Sequence, residues 1–347
     1  MKQLRWLGMG VGVLALAVMA GAQGKQGSSR PDGYHVIKTV KLNNNHGWDY
    51  MDIDNARQRL YVSTGDKEIV LNANTYAVEG TVGGLKGTHG AGISDRDNHG
   101  FTSNGGGNST TEFNLSTLKV IKTIPLPIQR PDGVIYDPAS DRIFYFNHDS
   151  HAAAVDAKTG KVAGTILLPT RAAEFAAADG RGHVFDNLES SSSEIEINSH
   201  TLKIMHVWPL APCEHPSGLS MDTASHRLYV GCDNHMLAVV NADTGKVVTT
   251  LPIGGGVDAT RFDPESKLVF SSNGEDGTIT VIHEDSPDHY TVLGNVATAR
   301  GARTMEVDTK TGTLFTVTAK FEPRKPGQPR YRRRMVPGSF ELLVIGK

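Results

Sequence analysis

His46, His89, Arg130, Arg171, His215, Gly256 and Arg300 stand at matching positions ahead of seven short apolar runs, most of which end near an Asp. Six of these seven positions carry His or Arg. Two or three residues further on come Trp48 and Asp49, then Asp132, Glu174, Ser217, Asp258 and Arg303. Side chains of this kind are costly to bury unpaired, so they must meet solvent, one another or a ligand. Arginine offers a planar fork of donors for carboxylate or phosphate. Histidine acts as acid, base or metal ligand near neutral pH. The carboxylates at 49, 132, 174 and 258 can lock the Arg forks or serve as bases. The pattern therefore predicts a cationic, hydrogen-bonding site for a small anionic or carbonyl-rich ligand. A ring of ion pairs that only holds neighbouring elements in register fits the same residues.

Two sharper chemistries are open to this set. His46, His89 and His215 with Glu174 could converge on a divalent metal, the one cofactor class these donors suit, although no HxH or HExxH spacing supports it. His46, His89 or His215 with Glu174 or Asp258 could do general acid–base work, as in a lactone hydrolase or lyase. No GxSxG elbow, Walker loop or dinucleotide-binding glycine pattern occurs. Asn104, Asn147, Asn187 and Asn273 read as turn caps, and His148, His151, Asp233 and His235 beside that column could widen the site. Cys213 and Cys232 are the only cysteines, and their placement in one repeat suits a disulfide. A basic, proline-rich loop at 322–338 could be a lid, a docking arm or a solvated excursion.

These side chains are positioned by a repeat. Arg59-Leu-Tyr-Val-Ser-Thr64 returns in degraded form six times, anchored at Tyr61, Phe101, Phe144, Val184, Tyr229, Phe270 and Phe315, spaced 40 to 45 residues apart. Each copy holds four short runs rich in Val, Ile, Thr, Tyr and Phe, joined by Gly, Asn and Asp. Four strands in such a period make one blade of a β-propeller. The expected fold is all-β, with seven four-stranded antiparallel blades. The last copy stops one strand short, after a run at 340–345, and the N-terminal stretch 34–42 can supply that strand and close the ring.

The segment Tyr61-Val-Ser-Thr64, with Phe101-Thr-Ser-Asn104 and Phe270-Ser-Ser-Asn273, resembles the YVTN repeat of YncE-like β-propellers. Thr64, Cys232 and Thr318 depart from it at the Asn position. The resemblance covers about 34–345 and implies an exported seven-bladed propeller. It says little of function, which such folds host in great variety.

Lys2 and Arg5 followed by the apolar stretch 7–20 and Ala20-Gly21-Ala22 read as a cleaved signal peptide over 1–22. A short linking segment, 23–33, and one propeller domain, 34–347, would follow. Loss of Lys2 and Arg5 takes the net charge from −2 to −4, which argues against a nucleic-acid partner. No other stretch is apolar enough to span a bilayer. The sequence thus predicts a periplasmic or secreted monomer. It would bind a small anionic molecule or an envelope protein, with the lactonase- or lyase-like enzyme as the alternative.

Overall fold

Short β-branched and aromatic runs broken by Asp-led turns dictate short antiparallel strands. The computed structural model describes residues 31–44, 46–323 and 334–347. The expected signal peptide, most of segment 23–33 and residues 324–333 of the basic loop lie outside them. The first strand is β1 (His35–Lys41). A seven-stranded sheet holds β2 (Met51–Asp54), β3 (Arg59–Ser63), β4 (Gly65–Asn72), β5 (Val78–Ser94), β6 (His99–Asn104), β7 (Ser109–Asn114) and β8 (Val120–Pro125). Three four-stranded sheets follow in chain order: β9 (Pro131–Asp137), β10 (Arg142–Asn147), β11 (His151–Asp156), β12 (Val162–Leu167); β13 (Ala173–Ala178), β14 (His183–Leu188), β15 (Ser193–Asn198), β16 (Lys203–Pro209); β17 (Pro216–Asp222), β18 (Arg227–Cys232), β19 (Met236–Asn241), β20 (Val247–Pro252). A fourth contains β21 (Val257–Asp263), β22 (Leu268–Asn273), β23 (Thr278–Ser286) and β24 (His289–Ala297). The last combines β25 (Met305–Asp308), β26 (Thr313–Thr318) and β27 (Glu341–Gly346) with β1, in the order β1-β27-β26-β25. The first and last strands among the described residues therefore pair, His35 against Gly346 and Lys41 against Glu341.

The seven-stranded sheet departs from the expectation of separate four-stranded units. Its central strand, β5, is 17 residues long. Residues 78–83 pair with β4, while 91–94 pair with β6, so one unbroken strand serves two sets of four. The innermost strands touch in cyclic order: β2, β5, β9, β13, β17, β21, β25 and back to β2. The architecture is an all-β, propeller-like ring of sheets around a channel.

All seven repeat anchors, from Tyr61 to Phe315, are fully buried. They fill clusters between adjacent sheets; Phe144 and Phe146, for example, pack on Ile195 and Ile197 of the next sheet. Burial of these rings is the main stabilising term and explains why the anchor recurs. The Asp closing an inner strand caps the turn after it. Asp54 accepts the Arg57 amide at 2.9 Å, Asp137 that of Ser140 at 2.9 Å and Asp308 that of Lys310 at 3.0 Å. A disulfide joins Cys213 and Cys232, with Cα atoms 5.5 Å apart. No helix among the described residues is long and apolar enough to cross a membrane.

Candidate functional site

The inner strands are not regular. The pairing register slips late in β5, between Thr88 and Ala91, and near the start of β9, β13, β17 and β21, between Pro131 and Val134, Ala173 and Ala176, Pro216 and Leu219, and Val257 and Thr260. A β-bulge re-aims the side chains at the slip. The first bulge residue in each case is His89, Asp132, Glu174, Ser217 or Asp258. The next is small in four of the five, Gly90, Gly133, Gly218 and Ala259, because neighbouring inner strands approach closely there. A Cβ on Gly133 would lie 2.4 Å from the Glu174 carbonyl oxygen. The exception, Phe175, packs edge-on against Tyr50 with ring centroids 4.4 Å apart.

These bulges and the adjoining loops surround a channel mouth of about 310 Å³. An almost continuous arc of polar side chains runs round it. Asp258 Oδ2 accepts from Arg303 Nη1 at 2.6 Å, and Arg303 Nη2 lies 3.6 Å from Asp49 Oδ1. Asp49 Oδ2 meets His89 Nδ1 at 2.8 Å, and Asp132 Oδ1 lies 3.3 Å from the same nitrogen. Asp132 Oδ2 meets His148 Nε2 at 3.0 Å, and His148 Nδ1 lies 3.7 Å from Glu174 Oε1. The arc breaks at Ser217, whose hydroxyl turns to the Asp258 backbone oxygen at 3.3 Å. Glu189 and Asp233 line the cavity on that open side.

Several solved structures share this architecture. The chain superposes on Kuenenia stuttgartiensis hydrazine synthase with a TM-score of 0.69 at 12% identity, covering 80% of this chain and 94% of that one. For U3-55K the TM-score is 0.74 at 8% identity, covering 90% and 99%. For a chain of the mitotic checkpoint complex it is 0.72 at 13% identity, covering 89% and 96%. All three are β-propeller proteins. The fold of this chain is a β-propeller. No protein-family model and no curated protein matches the chain.

The mouth of this propeller is electrostatically divided. Burial disfavours the charged form of His89, but the Asp49 hydrogen bond and the Asp132 charge outweigh it and raise its pKa. The Asp132 hydrogen bond pushes His148 up to about 9, against the effect of burial. Burial would raise Asp132, yet His148 and His89 hold it below the usual carboxylate range. Burial pushes Glu174 up to about 8, with His148 opposing and Asp132, Glu189 and Asp258 reinforcing. Burial also raises Asp258 despite Arg303. Burial at Glu174 and the Asp132 carboxylate beside His148 both favour the proton-holding form, which places two groups disposed to proton donation side by side.

The structure sorts the predicted residues into two groups. Asp49, Asp132, Glu174, Asp258 and Arg303 line the cavity, and His89 completes their arc. The expected cationic column does not. Arg130, Arg171, His215 and Arg300 are exposed. Arg130 and His215 sit in the left-handed region at φ 49°, one or two residues ahead of the bulge, as does Ala172 at φ 58°. Gly256 holds the same position at φ 72°, where a Cβ would meet Glu275 Cγ at 2.4 Å, which accounts for the lone glycine in that column. His46 is largely exposed, with Nε2 3.6 Å from Asp66. The metal set of His46, His89, His215 and Glu174 therefore does not converge. Trp48 packs instead on Phe321 and Phe340, at 5.9 and 5.4 Å between centroids.

The mouth is accordingly acid-rich rather than cationic. Asp49, Asp132, Glu174, Glu189, Asp233 and Asp258 line it against Arg303 and His148. The Asn column is structural: Asn104 donates to Thr111 Oγ1 at 2.9 Å and Asn187 to the Ser217 carbonyl at 2.8 Å. His151 and His235 are exposed. Glu189 was not legible, since it opens a short 3₁₀ turn, Glu189–Ser191, where other repeats have a simple turn. The disulfide reaches the site through its neighbours, because the Asp233 amide donates to the Glu214 carbonyl at 3.0 Å. The stem of the basic loop is a bridge between Phe321 and Met335, with Arg334 exposed.

Proposed function

We propose that this chain is an exported seven-bladed propeller of the YVTN type that binds a small, positively charged ligand at the acid-rich mouth of its channel. The observation that carries this reading is the surplus of carboxylates there. Arg303 is already held by Asp258 and Asp49, and His148 by Asp132, so neither is free to receive an anion. Glu189 and Asp233 border the open side of the arc, a receptive edge for an ammonium or guanidinium group. The cyclic contact of seven inner strands, with β5 shared between two blades, supports the blade count. The disulfide supports an oxidising compartment.

Thermal-shift titration of the mature protein tests this directly. Polyamines and basic dipeptides are expected to raise Tm by a few degrees, and sugar acids and phosphates to leave it unchanged. Glu189→Gln combined with Asp233→Asn should abolish the shift. Stabilisation by anions alone would overturn the reading.

A second reading, an acid–base enzyme of the lactone hydrolase or lyase class, is favoured by Glu174 and His148, both poised to hold a proton at neutral pH. Turnover of a lactone panel, lost in His148→Ala, would establish it.

A further inference from the structure

We propose a divalent metal site formed by Asp49, His89 and Asp132, resting on the acid-rich mouth described above. One donor atom from each of the three lies within 4.8 Å of the other two. Two of the separations are 2.8 and 3.3 Å. Ligands on an ion with bonds of about 2.1 Å stand about 3.0 Å apart in an octahedron and about 3.4 Å apart in a tetrahedron, so small side-chain shifts complete the shell. The three donors come from separate elements: the loop before β2, the bulge of β5 and the bulge of β9.

The second layer is already in place. The other oxygen of Asp49 faces Arg303 at 3.6 Å, and the other oxygen of Asp132 is held by His148 at 3.0 Å. Each carboxylate is thereby turned so that its remaining oxygen faces the imidazole, the way outer-layer donors orient metal ligands. Gly105 keeps room for the ring, since a Cβ there would sit 2.8 Å from His89 Nε2. Two carboxylates balance a divalent charge. Three protein ligands leave coordination positions open toward the cavity, as in sites that bind a further molecule. One nitrogen and two oxygens suit Zn²⁺ or Mn²⁺ better than Ca²⁺, which prefers an all-oxygen shell.

The test is calorimetric titration of the metal-stripped mature protein with Zn²⁺ and Mn²⁺ separately, alongside spermidine. One metal per chain is expected. Asp132→Asn should abolish binding, and His148→Ala should weaken it by about 10–100-fold by freeing the Asp132 carboxylate. Asp285→Asn, an exposed acid of β23 outside the cavity lining, should retain the metal, and the circular dichroism spectrum of Asp132→Asn controls for folding. Spermidine binding without metal binding would overturn the site and leave the acid-rich reading intact. Failure of both would remove both. Undiminished metal binding in Asp132→Asn would overturn the assignment of ligands.

Discussion

The channel has two halves built from the same inner strands, and they differ in kind. The mouth is made by bulge residues and loop ends, nearly all polar, with carboxylates in surplus. A few residues further along the strands lies a second cavity of about 270 Å³, lined by Tyr50, Asp52, Phe175, Leu219, Met221 and Arg261 among others. There Arg261 pairs with Glu306 at 2.9 Å and lies over the Phe175 ring at 5.3 Å, beside alanines and other apolar side chains. Tyr50 borders both cavities, and its contact with Phe175 divides them. The comparison teaches that the bulge, rather than the overall composition of a strand, decides which end of the channel carries a site. Among the described residues, the one cation of the deeper half, Arg261, is paired with Glu306 and packed, whereas carboxylates at the mouth are left over.

The largest test of this division is Phe175→Ala. The ring is buried, and its loss should cost about 3–5 kcal/mol in chemical unfolding. A cost below about 1 kcal/mol would show that the divide is not a packed element. Next come Arg261→Met and Arg303→Met, compared side by side. Arg261 keeps 15% of its side-chain surface exposed and Arg303 keeps 40%. Removing Arg261 should cost about 3 kcal/mol, because Glu306 is left buried and unpaired, and removing Arg303 clearly less. Equal costs would make the mouth as structural as the deeper half.

The smallest effect is a pH dependence in the deeper half. Burial pushes Asp52 up to about 8, against the pull of the Ala91 amide. Its folded pKa exceeds the unfolded one, so its contribution to stability is fully present below about pH 4 and is lost as pH rises through about 8. Between pH 7 and 9 that loss amounts to about 1 kcal/mol, and Asp52→Asn should remove it from the Tm profile. An unchanged slope would show that Asp52 is ionised throughout.

The repeat was legible because each blade must bury an aromatic or β-branched anchor between its neighbours, and Tyr61 through Phe315 do so without exception. The strand supplied by the N-terminus was legible from the missing fourth run. The site was legible only in part. Aligning loops on the downstream Asp singled out the left-handed positions, such as Arg130 and His215, whose side chains face solvent. Sequence periodicity assumes a regular strand, and a bulge breaks that period just where the side chains become functional. The pairs Asp132-Gly133 and Ser217-Gly218 carried the signal, since a small residue after a polar one marks close backbone approach. The continuous β5 was not legible, since Gly83, Gly84 and Gly87 lie within the strand and glycines of this density usually punctuate one.

The seam between β1 and β27 is the longest-range pairing among the described strands. Lys41 and Glu341, ion-paired across it, are 300 residues apart in the chain. Every other sheet can assemble from local hairpins, whereas this pairing joins strands some 300 residues apart. Until they pair, β27 and β1 each present an open edge, a template for another chain. Closure of so distant a contact is slow relative to hairpin formation. The hazard of misassembly in this molecule is therefore concentrated in one place, the seam at which the most distant strands meet.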